Sequence, residues 1–184
     1  MVEWIVGITG ASGAIYALRL LDVMKKSDYR PHLIVSAAGE RVIQEESGLT
    51  LDEVSEGCQL YSVYDVGASI ASGSFPARGM IVLPCSMHAL AAMSLGLADN
   101  LLTRAADVTL KEGRKLIVVP RETPLHAIHL ENMARLAKAG ATIVPAMPAF
   151  YHEPKSIDDL VDFVVGKVLD QAGIEHALFQ RWGY

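Results

Sequence analysis

Cysteine is scarce in this 184-residue sequence, positive charge is in deficit, and only one long stretch carries no charge at all. Cys58 and Cys85 cannot build a disulfide framework and lack metal-ligand spacing. A reducing cytoplasm suits them. Sixteen Lys and Arg against 21 Asp and Glu leave a net charge of −5, which excludes a nucleic-acid coat. Any anionic ligand must then be held by a local basic cluster. The start, Met-Val-Glu-Trp, has an acid where a signal peptide would carry Lys or Arg. No block of like charge suggests disorder. The uncharged stretch, twenty residues between Arg78 and Asp99, is long enough to span a bilayer but contains Pro84, Ser86, His88 and Ser94. It reads better as a buried strand, Met80 to Leu83, a turn at Pro84, and a small-residue helix from Ser86. No membrane span is expected.

What the chain has in quantity is aliphatic sequence: 51% of it is hydrophobic. A chain of this length makes one domain and buries roughly 70% of its unfolded surface. Apolar, β-branched runs at Trp4–Ile8, His32–Val35, Met80–Leu83, Leu116–Val119 and Thr142–Val144, with a weaker one at Leu60–Tyr64, read as strands. Helical stretches alternate with them: Ala14–Lys26, Gly39–Glu46, Met87–Leu97, Leu101–Lys111, Pro124–Ala139 and Ile157–Ala172. Continuously apolar strands are buried on both faces, the pattern of a parallel sheet. The expected fold is a single-domain α/β/α sandwich, flavodoxin-like or Rossmann-like, spanning 1–184.

Ligands of such sheets bind beyond the carboxyl ends of the strands. The segments delivered there are GASG (Gly10–Gly13), SAAG (Ser36–Gly39), PCSMHA (Pro84–Ala89), PRETP (Pro120–Pro124) and PAMPAFYHEP (Pro145–Pro154). Gly7, Gly10 and Gly13 form G-x-x-G-x-x-G, a turn that can present backbone N–H groups and a helix dipole to a phosphate, with Ser12 adding a hydroxyl. The acid that would hold a nicotinamide-dinucleotide ribose is replaced by Ser36, which favours a mononucleotide such as FMN. Arg104, Lys111, Arg121 and Lys167 form the basic set; Arg104 and Lys111, seven apart, share a helix face. Arg121 beside Glu122 at the ligand edge suggests an anion clamp next to an acid/base group. His126, His129 and His152 lack zincin spacing, so no metal is expected. Cys85 reads as a buried core residue and Ser86 as a helix N-cap. Asp158 and Asp159 read as acids at a helix start.

The blocks GITGASGAIY, ASGSF, PCSM, RAADVTLKEGRKLIVVPRETP, IHLENM, PAMPAFYH and DLVDFVV, in this order, resemble the UbiX/Pad1 family of flavin prenyltransferases. The resemblance runs from the first strand to the final Arg181-Trp182. It implies a flavodoxin-like Rossmann fold, a homododecamer and FMN bound near subunit contacts. It further implies transfer of the dimethylallyl group of dimethylallyl phosphate to N5 and C6 of reduced FMN, with no metal. The product would serve a UbiD-type decarboxylase. By the same resemblance FMN would be held by Gly10, Ala11, Ser12, Ser36, Ser86, Met87, His88, Ala89 and Arg104, with Ser12 close to N5. Lys111, Arg121, Tyr151 and Lys167 would hold the substrate phosphate, Glu122 would handle protons, and Trp182 would reach a neighbouring site from a tail, about residues 174–184, packed on another subunit. Lys167 stands where several members carry Arg, keeping charge without a bidentate fork. His88-Ala89 replaces a pair ending in Thr, and Val66 a Trp of some members.

Chemistry agrees with that reading. Breaking an allylic C–O bond puts negative charge on phosphate, where cations and a phenol stabilise it. Apolar walls shelter the positive allyl fragment from water. Two rivals remain at this level. An FMN-dependent cysteine decarboxylase would need an early catalytic His and an Asn in the PAMPAFYH loop, which this chain lacks. A flavin carrier would bind without turnover.

Overall fold

A computed structural model describes residues 2–183. Six parallel strands, β1 (Val2–Ile8), β2 (Tyr29–Val35), β3 (Gln59–Tyr61), β4 (Gly79–Cys85), β5 (Lys115–Pro120) and β6 (Thr142–Ile143), form one sheet in the order β3-β2-β1-β4-β5-β6. This is the Rossmann order rather than the flavodoxin order 2-1-3-4-5, so of the two expected variants the Rossmann-like one is realised. The outer strands are very short, three residues for β3 and two for β6. Helices α1 (Ala14–Lys25), α2 (Ala37–Ser47), α3 (Leu51–Ser55), α4 (Met87–Ser94), α5 (Leu101–Lys111), α6 (Ala127–Lys138) and α7 (Ile157–Ala172) cover both faces.

Strand alternation sorts the core into two halves. Trp4, Val6 and Ile8 of β1 join Ile81, Leu83, Ile117 and Val119 under α1 and α7. Ile5, Met80, Val82, Leu116 and Val118 join α4, α5 and Leu136 of α6 on the other face. Gly7 faces that second half, where an added Cβ would lie 3.1 Å from the Leu102 side chain. The glycine therefore lets α5 sit directly on β1.

The central strand expected at Met80–Leu83 extends over Gly79–Cys85 with every residue buried, and α4 follows Ser86. No described helix is long and apolar enough to cross a membrane. Differences from the expected boundaries have local causes. Helix α4 stops at Ser94 rather than Leu97, because Gly96 takes a left-handed φ of 69° and Leu97 N–H turns back to Ala92 O. Helix α3 and a 3-10 turn at Ser69–Ala71 were not expected. Thr50 caps α3 through a capping box with Glu53, a signature present in Thr-x-x-Glu. Asp159, read from the sequence only as an acid at a helix start, fills the same role with Ser156 at the start of α7. Hydrogen bonds from the Lys155 and Ser156 N–H groups and the Ser156 hydroxyl hold its carboxyl below the usual range.

The C-terminal tail folds back along α7 of its own chain. Ile174 is buried, Phe179 packs on Phe163 and against Gly166, and Asp170 gathers Arg181 at 2.7 Å, His176 at 3.2 Å and Lys167 at 3.6 Å.

Candidate active site

At the point where the order reverses, the loops after β1 and β4 part to opposite faces and leave a crevice. A cavity of about 340 Å³ opens there, lined by Thr9, Gly10, Ser36, Ala38, Ser86, His88, Ala89, Asn100, Leu102 and Thr103. The volume is in the small-molecule range of roughly 300–1,000 Å³. Its walls are the first turns of α2, α4 and α5.

Each of these helices starts at a polar cap. Ser36 accepts from Gly39 N–H at 3.0 Å, Ser86 from Ala89 N–H at 3.2 Å, and Asn100 from Thr103 N–H at 3.0 Å. A helix start has more N–H groups than one cap can satisfy, and its dipole end is positive. Three such ends around one cavity suit oxygens of an anionic or carbonyl-bearing ligand. Ala38, Ala89 and Leu102 supply apolar wall between them. Polar donors around an apolar slot fit the edge and face of a flavin and its phosphate, so the residues present suit FMN.

Of the residues expected to hold FMN, Gly10, Ser36, Ser86, His88 and Ala89 line this cavity. Ala11 is buried beside them and Met87 packs into the second core half. Arg104 does not line it: its guanidinium pairs with Asp107 at 3.2 Å, and Leu102 and Thr103, on the same helix turn, face the space instead.

The first glycine turn differs from expectation in a specific way. The N–H groups of Gly13 and Ala14, at the start of α1, both donate to the Glu46 carboxylate, at 2.9 and 2.8 Å. That helix start already holds an anion of the protein's own. Desolvation raises the Glu46 pKa, but hydrogen bonds from Ser12, Gly13 and Ala14 and the nearby Arg121 charge outweigh it, and the carboxyl titrates below its usual range. Arg121 Nε donates to Ser12 O at 3.0 Å, and burial raises the Tyr16 phenol despite the Arg121 charge. Ser12, Glu46, Tyr16 and Arg121 thus form one polar group at the edge of the crevice. Glu122, next in sequence to Arg121, is exposed, its carboxylate accepting from Thr123 N–H at 3.0 Å.

The expected phosphate clamp is not assembled within one chain. Helix α5 returns from the carboxyl edge of the sheet to the amino edge, where β5 begins at Lys115 opposite Gly79. Lys111 ends that helix and pairs with Glu112, whereas Arg121 follows β5 at the far edge. A strand of this length separates the two by on the order of 20 Å. Lys167 lies ten residues into α7, bound to Asp170. Tyr151 remains at the carboxyl edge, edge-on to Trp182 with ring centres 5.2 Å apart. Trp182 is 75% exposed.

Thr9, Ala38, Asn100 and Thr103 in the cavity wall and Glu46 at α1 were not picked out in the sequence. Asn100-x-x-Thr103 is a capping box readable as such. Glu46 gives no local signal. Cys85 is fully buried, which pushes its thiol far above the usual range, and it serves as core.

A flavoprotein family model matches residues 1–169. The flavin prenyltransferase UbiX of Halalkalibacterium halodurans is 54% identical, the match covering 97% of this chain and 92% of that one. The crystal structure of AnUbiX (PadA1) in complex with FMN and dimethylallyl pyrophosphate superimposes with a TM-score of 0.97 at 41% identity, covering 100% of this chain and 98% of that one. A dodecameric FMN-dependent UbiX-like decarboxylase from Escherichia coli O157:H7 gives 0.96 at 46% identity, over 99% and 100% of the two chains. The peptidyl-cysteine decarboxylase EpiD, at 17% identity and a TM-score of 0.68, shares the fold alone. With relatives this similar over almost its whole length, and with the switch-point cavity they would require, the chain belongs to the flavoprotein family and, within it, to the flavin prenyltransferases of the UbiX/Pad1 type.

Proposed function

We propose that this chain is a flavin prenyltransferase that binds reduced FMN in the switch-point cavity and joins to it the dimethylallyl group of dimethylallyl phosphate, releasing phosphate. The observation that carries the reading is the apolar slot ringed by three helix starts, beside the Gly10 turn whose Ser12 carbonyl accepts from Arg121. Reduced FMN supplies the nucleophilic N5 and C6 positions. Gly10, Ala11, Ser12, Ser36 and Ser86 to Ala89 hold it; Arg104 takes part once its Asp107 pairing is exchanged for the ligand.

Arg121 holds the leaving phosphate where negative charge develops. Ser12 and Glu122 flank the reacting atoms and move protons. Lys111 sits too far from Arg121 to serve the same phosphate within one chain, so the clamp of Lys111, Arg121, Tyr151 and Lys167 is completed between copies. Exposed apolar side chains at the carboxyl edge support this: Met147 is 66%, Phe150 69% and Trp182 75% exposed. The tail from about residue 174 then presents Trp182 to a neighbour, and the assembly is a dodecamer like that of the relative from Escherichia coli. The enzyme works in the cytoplasm and hands its product to a UbiD-type decarboxylase.

The test is anaerobic incubation of the protein with reduced FMN and dimethylallyl phosphate, with the diphosphate in parallel, and mass spectrometry of the extracted flavin. A gain of one five-carbon unit is expected. Flavin bound but unmodified with both donors would refute transfer and leave a carrier.

A further inference from the structure

The ladder between β1 and β4 pairs Ile5 with Met80, Val6 with Ile81 and Gly7 with Val82, and goes no further. Past that point β4 reaches Pro84, which has no N–H to donate. The two strands are nonetheless held together there by a single residue. The Thr9 N–H donates to Pro84 O at 3.2 Å, and the Thr9 hydroxyl donates to the same carbonyl at 2.8 Å. That hydroxyl also accepts from the Ser86 N–H at 2.7 Å. Thr9 is 3% exposed, yet it forms part of the cavity wall.

We propose that Thr9 is a positioning residue for the flavin cleft: its hydroxyl clasps Pro84 and Ser86 and so fixes the gap between the Gly10 turn and the start of α4. The proposal deepens the flavin reading above and rests on it. Ser86 is the cap of α4, and Ser86, His88 and Ala89 make one wall of the cavity. One hydroxyl therefore sets where that whole wall stands. A valine at this position keeps the shape and loses both hydroxyl bonds, leaving the Ser86 N–H without its acceptor. A serine keeps both. Thr109 provides a control, being 2% exposed, with its hydroxyl donating to Ala105 O at 2.7 Å inside α5.

FMN is titrated into each variant and binding followed by quenching of flavin fluorescence. Thr9→Val should weaken FMN binding by at least about tenfold, the scale set by a buried amide left without its acceptor, while Thr9→Ser stays within about threefold of the parent. Thr109→Val should leave FMN affinity unchanged. In turnover, Thr9→Val should raise KM for reduced FMN without moving KM for dimethylallyl phosphate. Parental affinity in Thr9→Val, or a serine variant as weak as the valine one, would overturn the proposal. Should the valine variant not fold, hydrogen exchange of the parent decides: a Ser86 amide as slow as those of the β4 ladder is expected, and one as fast as exposed loop amides overturns the clasp. A parent that binds FMN without prenylating it sinks the transfer reading and leaves the binding comparison standing; a parent with no affinity for FMN overturns both.

Discussion

Replacing Gly10 by alanine tests how closely the first turn and α2 are fitted at the rim of the cavity. A Cβ at Gly10 would lie 2.5 Å from the Ala38 Cβ and 3.3 Å from the Ala38 carbonyl carbon. Ordinary carbon contacts begin near 3.5 Å, so the first turn of α2 must retreat by about 1 Å. Overpacking of this kind costs about 1–3 kcal/mol. At about 2–4 °C per kcal/mol for a chain of this size, Gly10→Ala should melt roughly 2–12 °C below the parent. Ala38→Gly removes the atom that is struck, at a backbone cost of about 0.5–1 kcal/mol. The double variant Gly10→Ala/Ala38→Gly should therefore be more stable than the sum of its parts, a positive coupling readable in a double-mutant cycle by urea or thermal denaturation. FMN affinity should follow the same pattern, since both residues line the cavity. A single Gly10→Ala variant as stable as the parent, or a double variant showing no coupling, would refute the close fit.

Ser36→Ala and Ser86→Ala each remove a helix cap and should cost about 0.5–2 kcal/mol in chemical denaturation, with FMN binding weakened in both. Glu46 has its pKa lowered in the folded chain, so its contribution is present above the ordinary carboxylate pKa and is lost as pH falls through the lowered folded value. Stability of the parent and of Glu46→Gln should accordingly differ at pH 7 and converge below about pH 4, where denaturation midpoints measured across the range provide the check. Lys111→Ala and Arg121→Ala should each abolish turnover, while subunits of the two variants assembled together should regain part of it; mixed assemblies as dead as the single-variant ones would place both cations in the same site of one chain.

Most of the architecture could be read from aliphatic runs and helix signals. The five stronger strand segments all appear, and α5 and α7 begin and end where periodicity and caps put them. The crevice could be anticipated from the strand–helix alternation, and Gly10, Ser36 and Ser86 with it. What spacing along the chain did not reveal is which edge of the sheet a helix residue occupies. Arg104 and Lys111 share a face, but two helical turns carry the second away from the crevice. Glu46 was hidden for a different reason: it lies 32 residues from the Ala14 N–H that it satisfies, and nothing local marks the pairing. Thr9 was invisible because its role depends on a strand 75 residues away.

The two outer strands, of three and two residues, have a bearing on how many copies can live side by side. An unpaired strand edge is a template onto which any other extended segment can add, and long flat edges lead to open-ended aggregates. Here each edge offers only a few free backbone groups before the chain turns off. Growth by strand addition is closed to this fold even when many identical subunits are crowded into one particle. Contact between copies is then left to side-chain surfaces, whose symmetry decides whether an assembly closes.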